Sequence, residues 1–486
     1  MSLRAEVGIA VEALELFQQQ ALDRSAPVIS QRPMAELAER FGIDRFIAEG
    51  GLRDDALRTF LGAYLDSSTR LHHPRYMAHQ VAVPESLGAV GALVDAFTNN
   101  AMAIYEMGPS AATVEFAVSN WMLRKVGWRP SSLPGAVVGD ENCGGGVLTH
   151  GGSLANLTAL AAARARIAPN AWRNGAPGNL VIVAPAGCHY SIVRAAGILG
   201  LGADAVKAAP VDANGRLDPG RLEEFIDRLR NEGSQIMAVV ANACATATGL
   251  YDPLRAVGKI CRDLALWLHI DGAHGASALV SERHRFLLDG VEQADSLVWD
   301  AHKMLRTPTL CAAVLTRDRR DLDGAFQEEA SYLFHEKDQP GFDFIHRTVE
   351  CTKAALGLKV FCALAGEGER GIAAYVDRQT ELAQSAAALL REEPQIEVAV
   401  EPQSNIVCFR LDAENEVQLE IRRRLTDAGA FYISTAEFRG KRWLRLALMN
   451  PATELSDIRN LVIEVRAIQA KLKSESVAFP GMSPRL

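Results

Sequence analysis

The segment Ser296-Leu297-Val298-Trp299-Asp300-Ala301-His302-Lys303 runs an apolar strand out into a turn that ends on a His-Lys pair. A lysine at a strand end can be desolvated, which lowers its pKa and frees its amine to form a Schiff base with a carbonyl carbon. Taken alone, such a lysine is more often a solvated surface residue. A second strand, His269-Ile270-Asp271-Gly272-Ala273, delivers an acid in the same way. An aspartate there can keep a ring nitrogen protonated, or it can simply cap a following helix. A reactive amine and an acid for a ring nitrogen are the two partners that pyridoxal 5'-phosphate (PLP) requires, and the small residues after Asp271 leave room for a flat ring.

Two further segments fit the same chemistry. In Thr149-His150-Gly151-Gly152-Ser153-Leu154, two glycines and a hydroxyl precede a helical run from Leu157 to Arg166. Backbone N–H groups at such a helix start suit a phosphate, although a Gly-Gly-Ser turn is often only a loop. The pattern is not that of an ATP-binding P-loop. His189, in Gly187-Cys188-His189-Tyr190-Ser191, follows another strand and is placed either to stack on a pyridine ring or to serve as a capping or buried histidine.

The elements that must position these residues alternate. Apolar runs at 180–184, 236–241, 266–270 and 296–299 are strand candidates, and the stretches 221–230 and 254–264 between them have helical spacing. This predicts an α/β fold with a mainly parallel sheet covered by helices on both faces. Residues 1 to about 70 read as amphipathic helices that need a partner surface. The runs 403–410 and 442–448, with a helix at 415–428 between them, predict a small C-terminal α+β domain. The expected organisation is a helical arm at 1–85, a large cofactor-binding domain at 86–375 and the small domain at 376–486.

Bulk properties narrow the function classes. At 486 residues with 48% hydrophobic and 23% charged residues, the chain has ample material for several cores. A net charge of −8 gives no reason to expect nucleic-acid or anionic-membrane binding. The eight cysteines form no CxxC pair and no zinc spacing, so reduced, buried thiols and no metal site are expected. The first twenty residues lack the apolar core of a signal peptide, and no uncharged apolar run is long enough to span a membrane. A cytoplasmic location is the expectation.

These four motifs, in this order and at these separations, resemble the group II PLP-dependent amino-acid decarboxylases, which include glutamate, cysteine sulfinate, aromatic amino acid and diaminobutyrate decarboxylases. The likeness runs from about residue 70 to 455. It implies the aspartate aminotransferase-type fold (fold type I) and a homodimer with active sites at the subunit interface. Matched position by position, it implies that Lys303 binds the cofactor aldehyde and His302 precedes it in the family's pair. Asp271 pairs with the ring nitrogen, Ala273 lies under the ring, His189 stacks on it, and Gly152 and Ser153 form the phosphate loop. Thr246 matches a threonine near the cofactor, although Cys244-Ala245-Thr246 departs from the family's common Gly-Thr-Thr. Asp300 stands where many members have Asn, and an acid near a phosphate is unfavourable unless protonated or turned away.

The resemblance also touches the substrate. His73-Pro74-Arg75-Tyr76 and Gln80 resemble a stretch near the substrate, with a proline turn and a packed tyrosine as the plain alternative. Arg445 matches an arginine that holds a substrate carboxylate, against the alternative of a structural salt bridge. Tyr332, in a polar segment at 325–335, matches the family's catalytic loop tyrosine, against the alternative of a surface helix. The implied reaction is α-decarboxylation of an L-amino acid, with Tyr332 protonating Cα, aided by His189. Tyr105-Glu106-Met107-Gly108-Pro109 resembles the branches that act on small polar substrates. The alternatives are an aromatic amino-acid decarboxylase, another PLP lyase or aminotransferase of the same fold, and a non-catalytic homologue.

Overall fold

Unbroken runs of branched and small apolar residues form strands that can be buried on both faces. The computed structural model describes residues 2–133, 142–326, 341–350 and 352–478. Its strands are β1 (Tyr76–Met77), β2 (Gly145–Thr149), β3 (Leu180–Pro185), β4 (Val206–Ala209), β5 (Gln235–Asn242), β6 (Leu268–Asp271), β7 (Ser296–Asp300), β8 (Ala312–Thr316), β9 (Ile396–Val398), β10 (Ile406–Leu411), β11 (Tyr432–Phe438) and β12 (Lys441–Ala447). Contacts divide the chain into two compact units, Pro84–Thr380 and Met1–Val83 together with Glu381–Leu486.

The larger unit holds a seven-stranded sheet in the order β2-β8-β7-β6-β5-β3-β4. β8 is antiparallel to both neighbours, and the other adjacent pairs are parallel. β2 therefore points the same way as β7, and β2, β3, β5, β6 and β7 all bring their C-terminal ends to one edge. Ligands dock at such an edge in α/β sheets. Every residue of β5 after Gln235 is buried, as a strand covered on both faces requires. The helix Leu254–Asp263 buries Leu254, Val257, Gly258 and Cys261, a stripe at helical spacing. Val239 and Ile270 are 0% exposed, and burying each such side chain stabilises by about 1.5–3 kcal/mol. The strands expected at 180–184, 236–241 and 296–299 coincide with β3, β5 and β7. The one expected at 266–270 starts at Leu268 and runs on through Asp271.

Among the described residues of this unit, one ion pair is wholly buried. Glu115 on the helix Pro109–Val126 and Lys353 are both 0% exposed, with Nζ 2.8 Å from Oε2. The other carboxylate oxygen accepts the Leu148 N–H of edge strand β2 at 2.9 Å. The pair thus satisfies a backbone donor that the sheet leaves without a neighbour.

The smaller unit holds a five-stranded sheet, β1-β11-β12-β10-β9, in which β1 is parallel to β11 and the rest are antiparallel. The helices Asn415–Ala428 and Leu455–Ala478 belong to it, as do the N-terminal helices Leu3–Leu22 and Asp54–Asp66. No helix among the described residues is long and apolar enough to cross a membrane.

Candidate active site

The C-terminal edge of the seven-stranded sheet opens into a cavity of about 350 Å³. Nine of the residues singled out in the sequence line it: Gly152, Ser153, His189, Thr246, Asp271, Ala273, Asp300, His302 and Lys303. Each arrives from a strand end. β2 leads to the glycines, β3 to His189, β5 to Thr246, β6 to Asp271 and Ala273, and β7 to Asp300 and Lys303.

The glycine turn shows why a side chain is excluded there. Gly151 has φ +96°, a backbone conformation that favours glycine. A Cβ on Gly152 would lie 2.9 Å from both carboxylate oxygens of Asp300. The helix Gly152–Ile167 starts at this point, and its first-turn N–H groups have no acceptor within the helix.

Lys303 Nζ lies 3.0 Å from Asp300 Oδ2, and Asp300 is 2% exposed. The other oxygen, Oδ1, is buried without a hydrogen-bond partner. His302 approaches the same carboxylate at 3.7 Å and donates from Nδ1 to the Cys311 carbonyl at 2.7 Å. Burial holds the His302 pKa below the usual imidazole range.

Asp271 accepts the Ala273 N–H through Oδ1 at 3.2 Å and the Asn156 side-chain amide through Oδ2 at 3.0 Å. His189 is also a helix cap. Its Nδ1 accepts the Ser191 N–H at 3.3 Å and lies 2.7 Å from Ser191 Oγ. Burial lowers the His189 pKa, and Lys303 adds to that effect while Asp271 opposes it. Of the alternatives posed in the sequence, the structure shows the capping histidine, and the same residue lines the cavity.

Sequence reasoning passed over several lining residues, among them Asn156, His150 and Leu310. Asn156 sits in a buried row beneath the cavity floor. The Trp267 Nε1–H donates to Ser296 Oγ at 3.0 Å, and Ser296 Oγ lies 2.8 Å from His269 Nδ1. His269 Nε2 lies 2.9 Å from Asn156 Oδ1, and Asn156 Nδ2 reaches Ser191 Oγ at 2.8 Å as well as Asp271. The β6–β7 register, which pairs His269 with Ser296, makes this row possible. Burial drives the His269 pKa down to about 4. An asparagine in the otherwise apolar run Leu154-Ala155-Asn156-Leu157 was the signal available in the sequence.

Tyr76, Gln80 and Arg445 belong to the smaller unit. Arg445 on β12 donates to the Ala78 carbonyl and to Ser434 Oγ, each at 3.3 Å. Tyr76 is buried with its ring edge-on to Tyr432, and Gln80 Nε2 is buried without a hydrogen-bond partner. Tyr332 lies outside the described residues.

The chain is similar to known proteins over most of its length. The family model described as the pyridoxal-dependent decarboxylase conserved domain matches residues 65–412. Cysteine sulfinic acid decarboxylase of Rattus norvegicus is 31% identical over 352 residues, 71% of this chain and 69% of the relative. Acidic amino acid decarboxylase GADL1 of Mus musculus is 27% identical over 469 residues, 92% of this chain and 82% of the relative. The crystal structure of mouse CSAD superposes with a TM-score of 0.85 at 26% identity, covering 96% of this chain and 97% of that one.

Proposed function

The chain belongs to the pyridoxal-dependent decarboxylase family and is a PLP-dependent carboxy-lyase of fold type I acting on an amino acid; from that premise we propose that Lys303 is its cofactor lysine and that its substrate is a small acidic or polar L-amino acid. The observation that carries the site assignment is the convergence of Lys303, Asp271 and His189 with a helix N-terminus on one cavity. The cavity suits the cofactor. It offers an amine, a carboxylate held by two donors, a floor of small residues at Ala273, and a helix start whose first residue carries no Cβ.

Bound there, PLP supplies the sink for the electrons of the broken Cα–carboxylate bond. Lys303 would hold the cofactor through its amine. Asp271 would keep a proton on the ring nitrogen. His189 and Ala273 would hold the ring. Gly152, Ser153 and the helix start would receive the phosphate, and Thr246, Asp300 and His302 would border the cofactor. For Arg445, Gln80 and Tyr76 as substrate-binding residues, and for Tyr332 as proton donor to Cα, the support is the family resemblance.

The substrate class draws support from the relatives, which are named for acidic amino acids and cysteine sulfinic acid. A homodimer belongs to the same proposal. The helix Ser86–Thr98 exposes Leu87, Val90, Val94 and Phe97 at helical spacing, and the helix Leu3–Leu22 exposes Leu14 and Leu16. Apolar surface of this kind suits a second copy of the chain. A cytoplasmic location is supported by the seven free cysteines among the described residues.

The test is carbon dioxide release by the PLP-loaded protein across glutamate, aspartate, cysteine sulfinate, 2,4-diaminobutyrate and the aromatic amino acids. Release from one of the first four, with a visible absorbance band that borohydride removes, is the expected result. Release from aromatic substrates alone would overturn the substrate class, and the absence of any band would overturn the assignment of Lys303.

A further inference from the structure

We propose that Asn156 is a positioning residue that locks the tautomer of His189, so that His189 presents a protonated Nε2 to the cavity while the same amide holds Asp271. The inference deepens the PLP reading, and it rests on that reading for the cavity's occupant but not for the proton assignments.

Donor and acceptor chemistry fixes each proton in the row beneath the cavity. The Trp267 indole N–H can only donate, so Ser296 Oγ accepts from it. The Ser296 hydroxyl then gives its own proton to His269 Nδ1, which leaves the His269 proton on Nε2, facing Asn156 Oδ1. The other end gives the same answer independently. An ionised Asp271 can only accept, so the amide nitrogen of Asn156 must face it and the amide oxygen must face His269. The second amide N–H goes to Ser191 Oγ. His189 Nδ1 also faces the Ser191 backbone N–H at 3.3 Å, which only an acceptor nitrogen can receive, so the Ser191 hydroxyl donates to it at 2.7 Å. With Nδ1 occupied as an acceptor, the neutral imidazole carries its proton on Nε2.

All the polar side chains between the two ends are buried: Asn156 and Ser191 are 1% exposed, and His269 and Ser296 are 0% exposed. A fully satisfied buried network of this kind specifies one arrangement, because any reversed member would leave a buried group unpaired. The charged groups around His189 are Asp271, Lys303, Asp300 and Arg194. None of them supplies the donor that Nδ1 receives from Ser191.

The experiment is nitrogen NMR of histidine-labelled, cofactor-free protein near neutral pH, on wild type, Asn156→Ala and Ser191→Ala. In wild type, His189 and His269 are both expected as single Nε2–H tautomers. In Asn156→Ala both should lose the single tautomer. In Ser191→Ala only His189 should change, and this smaller variant serves if Asn156→Ala does not fold. A wild-type His189 protonated at Nδ1, or a His189 unchanged in Ser191→Ala, would overturn the proposal. In the PLP-loaded enzyme, Asn156→Ala should lower kcat by about 10- to 100-fold, as loss of a group that orients a histidine does, with KM little changed. An equal effect on KM alone would also count against it. The borohydride-sensitive band reports on the PLP reading separately, because its absence leaves the tautomer result standing.

Discussion

Lys303 and Asp300 stand three residues apart where β7 ends, and their side chains form an ion pair with Nζ 3.0 Å from Oδ2. The partner carboxylate oxygen is buried without a hydrogen bond, and the carboxylate faces Gly152 at the start of the helix that is placed for a phosphate. Asp300 therefore does two opposed things. On the proposed reading, it holds the cofactor amine and puts negative charge beside the phosphate.

Asp300→Asn should consequently bind PLP more tightly than wild type, by about tenfold or more. Binding of pyridoxal, which lacks the phosphate, should not gain in the same proportion. Titrating both compounds by absorbance checks this. An unchanged ratio of the two affinities would show that the Asp300 carboxylate does not act on the phosphate.

Asp271→Asn should leave a cavity that still binds PLP but no longer keeps its ring nitrogen protonated. The expected outcome is a fall in kcat of at least about a hundredfold with a smaller change in KM, because the loss is felt at the step that places charge in the ring. Steady-state kinetics at saturating PLP reads it. A variant with near-normal kcat would remove Asp271 from the electronic role.

The Glu115–Lys353 pair gives a stability prediction. Lys353→Met leaves Glu115 buried and unpaired and should cost about 3–5 kcal/mol in urea unfolding. A variant that pairs Lys353→Met with Glu115→Gln should recover part of that loss, since a neutral amide can still accept the Leu148 N–H. Equal destabilisation in the single and double variants would contradict the ion-pair account.

His269 predicts a pH dependence of stability. Its folded-state pKa of about 4 lies below the unfolded imidazole value near 6.5. Between those values the unfolded chain binds the extra proton, so stability rises with pH. The contribution is complete above about 6.5 and is lost as pH falls towards 4, amounting to roughly 3 kcal/mol. Comparing wild type with His269→Gln at pH 7.5 and 5.0 isolates it. The variant should lose less stability on acidification, and parallel losses would rule this histidine out.

The residues at strand ends were legible in the sequence because each carries its own chemistry next to an apolar run. Lys303, Asp271 and His189 follow strands that the sequence shows, and β7, β6 and β3 deliver them to the cavity. Asn156 was not legible in the same way. A polar residue inside a helix acquires meaning only when the sheet decides which way that helix face points. The Trp267–Ser296 and His269–Ser296 bonds likewise depend on the β6–β7 register, which strand propensity does not determine. β2 was missed because Gly145 and Gly146 weaken its strand signal. Packing explains them, since a Cβ on Gly146 would lie 2.8 Å from the Ser119 Cβ. The grouping of residues 1–83 with the C-terminal segment, including the parallel pairing of β1 with β11, joins parts of the chain too far apart for local pattern to reveal.

The indole at the head of the buried row has a last consequence. Proton hopping along a chain of hydrogen bonds requires every member to exchange its donor and acceptor roles, and the Trp267 nitrogen has no lone pair with which to do so. The row can brace an imidazole but cannot conduct. A proton on His189 therefore has no path along this row to the Trp267 end of the sheet.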